Sequence, residues 1–190
     1  MNLKRALYTY EIIPSTLGEI GLVRRADGGR SPICRILLPE KGRPMAAIIR
    51  DLFPDAVPGK GKQDEMCKQI GDFLKGNAVD FGLENLDFGS LKGFARRVLL
   101  ADGEIPRGRV MTYGGLAASV GVAGGARAAG NVMAGNPFPL VIPCHRVVRS
   151  DGSLGGFGGG EEMKKALLTM EGVAFDARGR VLPEHLFGKS

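Results

Sequence analysis

The sequence predicts an α+β chain in two parts, a β-meander with two helices followed by a mostly helical region. Three observations carry that expectation. A length of 190 residues suits two small domains. Strand patterns separated by turn residues occupy the first forty positions. Apolar residues then recur at helical spacing over most of the remainder. The expected boundaries are 1–88, 89–176 and a carboxyl-terminal extension over 177–190.

Taken in order, Ala6–Ile13 and Glu19–Arg24 read as strands joined through the turn residues Ser15–Gly18. Ala26-Asp27-Gly28-Gly29 is a second turn, leading to an apolar strand over Ile33–Leu38. Pro44–Phe53 places Met45, Ile48, Ile49 and Leu52 on one helical face, and Gln63–Lys75 does the same with Met66, Ile70, Phe73 and Leu74. Pro54–Lys62 between them reads as a loop. Ser90 is the expected cap of a helix through Phe94, Val98 and Leu99, ended by Gly103 and Pro106. Tyr113–Val120 and Ala126–Ala134, separated by the turn Gly121–Gly125, have helix-turn-helix geometry. Glu161–Gly172 is a last helix, with acids in its first turn and an expected buried stripe of Met163, Ala166, Leu167 and Met170. Glu171 lies four residues past Leu167, toward that stripe. A carboxylate there is costly unless a hydrogen-bonding partner waits for it.

Composition narrows the setting. Basic residues exceed acidic ones by six, and the excess is uneven, with 13 basic and 12 acidic residues up to Ser90 against 13 and 8 from Leu91 onward. The second half therefore carries the surface suited to phosphate contact, although a solvated basic face would look the same. Three scattered cysteines, Cys34, Cys67 and Cys144, do not make a disulfide framework and fit a reducing compartment. Cys34 and Cys67 sit in apolar patterns and read as core. No stretch has the apolar length of a signal peptide or a membrane span, so a cytoplasmic protein is expected, nuclear in a eukaryote, with no membrane partner. Only two histidines exist, His145 and His185, and neither lies near a Cys-x-x-Cys pair. No metal site is expected.

Pro143-Cys144-His145-Arg146-Val147 carries the chemistry. An ordinary thiol is mostly protonated at neutral pH, so a cysteine that attacks carbon needs a neighbour to take its proton, and histidine is the usual one. Side chains adjacent on an extended strand point apart, so this pair needs a backbone turn or a bridging water, and a third group to orient the imidazole. The second helix of the helix-turn-helix places Ala126, Ala129, Gly130 and Met133 on one bare stripe beside Arg127 and Asn131. Small residues in that pattern serve either close helix packing or close approach to a DNA backbone. The glycine-rich run Gly155–Gly160 lacks the Lys-Ser/Thr of a phosphate-binding loop, so no nucleotide cofactor is expected.

The run Asn136-Pro137-Phe138-Pro139-Leu140-Val141-Ile142-Pro143-Cys144-His145-Arg146-Val147-Val148, with Gly155-Gly156-Phe157-Gly158-Gly159 after it, resembles the active-site signature of the O6-alkylguanine-DNA alkyltransferases, also called methylated-DNA-protein-cysteine methyltransferases. The resemblance extends over about residues 88 to 174. It implies a ribonuclease-H-like amino-terminal domain and a winged-helix-like second domain. It also implies single-use, irreversible transfer of an alkyl group from O6-alkylguanine, and O4-alkylthymine, in a flipped-out nucleotide.

Residue by residue, the resemblance makes Cys144 the alkyl acceptor, His145 its base through a water, and Glu171 the group that fixes the imidazole. Asn136 becomes a brace near the site, and Tyr113 the contact to the flipped nucleotide and its 3′ phosphate. Arg127 becomes the finger filling the vacated stack. Ala126 and Ala129, with Tyr113, line the approach to the minor groove of double-stranded DNA. Met133, Val147, Phe157 and Gly158 wall the pocket, along the Leu154–Gly159 loop. Many relatives carry tyrosine where Phe157 stands and serine or arginine where Gly158 stands. Some relatives bind zinc in the amino-terminal domain, for which this sequence has no ligands. No cofactor and a monomeric state are implied. The main rival reading is a non-catalytic protein that binds alkyl lesions, and Cys144 argues against it.

Overall fold

A computed structural model describes residues 7–26, 31–59 and 65–188. The chain divides into two compact units, Met1–Phe88 and Gly89–Ser190.

In the first unit β1 (Tyr8–Ile13), β2 (Ile20–Arg25) and β3 (Ile33–Leu37) form an antiparallel meander. Side-chain alternation with period two explains the layers. Tyr8, Tyr10, Ile12 and Val23 pack with Met45, Ile48 and Ile49 of α1 (Met45–Leu52), while α2 (Glu65–Leu74) also packs against β1. The central strand β2 is buried from Ile20 through Arg24.

One expectation is corrected here. The segment read as a loop contains β4 (Ala56–Pro58), which pairs in parallel with β1 and gives the sheet order β3-β2-β1-β4. Its proline is tolerated because β4 is an edge strand. The turn residues 27–29 and the expected helix start at 63–64 lie outside the described residues. Cys34 donates weakly to the Val23 carbonyl at 3.4 Å, and Cys67 is buried in α2.

The second unit holds α3 (Gly93–Gly103), β5 (Met111–Thr112), α4 (Tyr113–Ser119), α5 (Ala126–Ala134), β6 (Val147–Val148) and α6 (Gly160–Met170). Ser90 does not cap α3. The N-cap is Lys92, and Ser90 closes a short 3-10 turn instead. Thr112 caps α4 by accepting from the Gly115 N–H at 2.9 Å. α4 and α5 pack on each other and on α3.

The stripe of α6 is rotated from the expected one, with Met163, Lys164, Leu167 and Leu168 buried and Ala166 and Met170 only half-buried. A lysine facing inward was hidden because its charge argues for solvent. The segment expected as a carboxyl-terminal extension packs into this unit. Val181 joins the core of Val110, Val148, Leu154, Leu168 and Val173, and Leu186 packs on it. Val110 donates to the His185 carbonyl at 2.9 Å and accepts from the Phe187 N–H at 2.7 Å. His185 adds a side-chain clasp, with Nδ1 3.0 Å from the Gly108 carbonyl and Nε2 accepting from the Ala174 N–H at 3.0 Å.

Candidate active site

The parallel pairing of β5 with β6, Met111 opposite Val147 and Thr112 opposite Val148, sets the geometry of the site. It brings Tyr113, the first residue of α4, beside the chain that has just passed through Cys144. The loop before Cys144 is tight. Asn136 donates from Nδ2 to the Ile142 carbonyl and accepts at Oδ1 from the Phe138 N–H, both at 2.9 Å. Ile142 also donates to the Phe138 carbonyl at 2.8 Å. Inside that loop the buried Leu140 has φ 75°, a left-handed conformation that a leucine adopts only under constraint from its surroundings. Cys144, His145 and Arg146 then form a 3-10 turn, so the backbone does turn between the two candidate reactive side chains.

Cys144 is 7% exposed. It reaches a cavity of about 420 Å³ lined by Tyr113, Gly130, Met133, Cys144, Arg149 and residues of the glycine-rich loop. Gly155 in that loop has φ 71°, and a Cβ there would meet the Tyr113 hydroxyl at 3.0 Å. Only glycine lets the loop lie this close to the tyrosine. The Phe157 ring stands edge-on to the His145 imidazole, with 6.4 Å between centroids.

Next to Cys144 in the chain is a buried ionic cluster. His145 Nε2 lies 2.9 Å from Glu171 Oε1, with both side chains wholly buried. Arg146 donates to both oxygens of the same carboxylate, at 2.9 and 2.8 Å, and to the Ile105 carbonyl at 2.6 Å. Burial pushes the Glu171 carboxyl up, but the hydrogen bonds from His145 and Arg146, with their charges, outweigh it and hold it down at about 2. Burial lowers His145 despite Glu171, so the imidazole is neutral at neutral pH. Since an ionised carboxylate only accepts, Nε2 is the donor and Nδ1 the basic nitrogen. Burial, then the charge of Asp102, pushes the Cys144 thiol up to about 12, with Asn136 and Lys164 acting the other way. At rest Cys144 is therefore a thiol, which can act as a nucleophile only if a base takes its proton.

The structure thus brings together Tyr113, Met133, Asn136, Cys144, His145, Phe157, Gly158 and Glu171. It separates others. Val147 is fully buried in β6 and does not line the cavity; its carbonyl accepts from Lys164 Nζ at 2.6 Å. Leu154 belongs to the core. Ala129 is fully buried on the inner face of α5, so the packing role of that stripe holds there and its expected DNA contact does not. Ala126, Arg127, Ala128 and Asn131 form the exposed side of the helix.

Four charged residues were missed by the sequence reading. Arg146 shares Glu171 with the imidazole, and the adjacency Cys-His-Arg was the only signal for it. Arg149 lines the cavity. Lys164 lies 5.8 Å from the Tyr113 ring centroid, and Asp102 is buried in α3. Nothing in the spacing of these last two distinguishes them from surface charges.

Known proteins resemble this chain in sequence and in fold. Residues 93–173 match the family model of the 6-O-methylguanine DNA methyltransferase DNA binding domain. A methylated-DNA–protein-cysteine methyltransferase of Methanothermobacter thermautotrophicus is 52% identical over 114 residues, 60% of this chain and 64% of that protein. The matched stretch spans just under two thirds of the length of this relative and of others like it. The crystal structure of Mycobacterium tuberculosis O6-methylguanine methyltransferase superposes with a TM-score of 0.69 at 31% identity, over 86% of this chain and 92% of that one. A Mycobacterium tuberculosis OGT solved in complex with DNA gives 0.68 at 32% identity, over 86% and 92%. On identity, coverage and fold together, the chain belongs to the methylated-DNA–protein-cysteine methyltransferase family.

Proposed function

We propose that this protein repairs alkylated DNA by moving the alkyl group of O6-alkylguanine, and of O4-alkylthymine, irreversibly onto Cys144. The observation that carries the reading is a thiol at the wall of a base-sized cavity, backed by a neutral imidazole whose tautomer is fixed by a buried carboxylate. In the step, the Cys144 proton passes through a water to Nδ1 of His145. The sulfur forms a bond to the alkyl carbon, the carbon–O6 bond breaks, and guanine leaves with the electron pair and takes up a proton. Tyr113 is placed at the cavity to donate to the base. The thioether has no route back, so each molecule acts once.

The substrate atom is unreachable in a stacked duplex, so the nucleotide is turned out into the cavity. We assign the exposed face of α5, with Ala126 and Arg127, to the minor groove. Its small side chains let the helix backbone approach, and Arg127 is the residue long enough to enter the vacated stack. The order β3-β2-β1-β4 suits a ribonuclease-H-like amino-terminal domain over 1–88. The helices with the short β5–β6 pair suit a winged-helix layout over 89–176. We further propose a monomer working in the cytoplasm, or the nucleus of a eukaryote. No helix among the described residues is long and apolar enough to cross a membrane.

The test is the mass of the intact protein after incubation with duplex DNA carrying O6-methylguanine. One added methyl, mapped to Cys144 and absent in Cys144→Ala, is expected. A methyl on Cys34 or Cys67, or turnover without a mass change, would overturn the reading. Cys144→Ala should still bind DNA near wild-type strength, because the thiol touches no phosphate.

A further inference from the structure

Asp102 closes the last turn of α3 on the same side as Val98 and Leu99 and is fully buried. Neither of its carboxyl oxygens touches solvent or has a hydrogen-bond donor among the described residues. A carboxylate in such a place gives up its hydration and receives no hydrogen bond in return, so the neutral acid is favoured. Burial accordingly pushes Asp102 up to about 8, even against the positive charges of Arg146 and Lys164.

Its charged and titratable neighbours come from the elements around it. They are Tyr113 at the start of α4, Cys144 and Arg146 in the 3-10 turn, and Lys164 on α6. α5 also packs on α3, but its charged residue Arg127 is exposed. A negative charge on Asp102 raises both Cys144 and Tyr113. Two anions in one dry site repel, so the ionisations of Asp102 and Cys144 oppose each other.

We propose that Asp102 is a positioning residue for the reactive thiolate: as the neutral acid it permits Cys144 to ionise, and as the carboxylate it opposes it, which sets an alkaline limit on the transfer. No bond to Asp102 forms or breaks; it only exchanges a proton with solvent. Burial also lowers Lys164 to about 8, so in the same range the site loses a cation that favours the thiolate. Replacing Asp102 removes its own charge and, with it, the support that this charge gives to protonated Lys164, which titrates in both proteins; a rate gain in the variants at high pH therefore reports the direct effect of Asp102 on the thiol outweighing the loss of that cation.

This inference deepens the transfer reading and rests on it for the reaction, but not for the thiol. The experiment follows alkylation of Cys144 by iodoacetamide, mapped by mass spectrometry, in the wild type, Asp102→Asn and Asp102→Leu. At about pH 6.5 the three should react within twofold of one another, and at about pH 9.5 both variants should react about tenfold faster than the wild type, the equivalent of one pKa unit. A variant-to-wild-type ratio that does not change with pH overturns the proposal. Should neither variant fold, the carboxyl carbon resonance of Asp102 in the wild-type protein decides, with a titration midpoint near 8 expected and one in the ordinary carboxylate range overturning it.

Repeating the comparison with methylated DNA distinguishes the two readings. The same pH-dependent ratio in methyl transfer supports Asp102 in that role, and a constant ratio overturns it. No transfer at any pH, with the thiol ratio intact, would sink the repair reading while the electrostatic link between Asp102 and Cys144 stands.

Discussion

His145 and Glu171 lie 26 positions apart in the chain and meet at 2.9 Å with neither side chain reaching water. Glu171 occupies the C-cap of α6, and His145 the middle of the turn that follows Pro143. Because Arg146 holds both oxygens of the same carboxylate, Glu171 cannot swing to meet the imidazole; the imidazole is aligned to it. The carboxylate is charged throughout the working range, so one tautomer of His145 prevails.

Glu171→Gln should cost stability in a pH-dependent way. The carboxyl sits at about 2 in the folded protein, below its ordinary 4.5, so its contribution is present above 4.5 and is lost as the pH falls toward 2. Urea titrations should show a loss of about 3 kcal/mol near pH 7, shrinking toward zero near pH 2. A loss of equal size at both ends would mean that packing, not charge, is what Glu171 supplies.

His145→Ala should slow methyl transfer by about a hundredfold or more near neutral pH, since the Cys144 thiol, pushed up to about 12, is left without its base. Raising the pH should recover part of that rate as the thiol ionises unaided. The recovery should be larger when Asp102→Asn is added to the same protein. A pH–rate profile parallel to that of the wild type would remove His145 from the proton path.

Asn136→Ala removes the acceptor of the buried Phe138 N–H and one of two donors to the Ile142 carbonyl, which keeps the Cys144 N–H at 2.9 Å, and withdraws the hydrogen bond that lowers Cys144. A loss of about 1 to 3 kcal/mol in thermal or chemical denaturation is expected. Transfer should slow further than the unfolded fraction explains. An unchanged stability would mean that the loop keeps its shape without this brace.

Arg127→Ala should slow repair in duplex DNA at least about tenfold more than transfer from free O6-benzylguanine, because a free base has no stack to leave. The ratio of the two losses at matched salt is the measurement. Equal losses would move Arg127 from the DNA surface into folding or the cavity.

Of the second unit, the helices and the candidate pair Cys144 and His145 were legible in the sequence alone. Apolar spacing marked α3 through α6 to within a few residues, and the run from Asn136 to Val148, through its family resemblance, pointed to the candidate thiol, imidazole and brace, because they lie on one short stretch of backbone. The need of Glu171 for a partner was legible as well, since a carboxylate facing a buried stripe demands one. Tertiary structure decided the rest.

β4 is three residues long and exists only because β1 offers an edge to pair with, so no local pattern announces it. Ala129 and Arg127 sit two residues apart, and only the packing of α5 on its neighbours shows that one is core and the other surface. Arg146, Lys164 and Asp102 read as solvated charges along the chain. They converge around Cys144 because β5 pairs with β6 and α6 packs on the turn. The charge of a buried group depends on neighbours distant in sequence, and that is the physical reason the site's electrostatics could not be read before the fold was known.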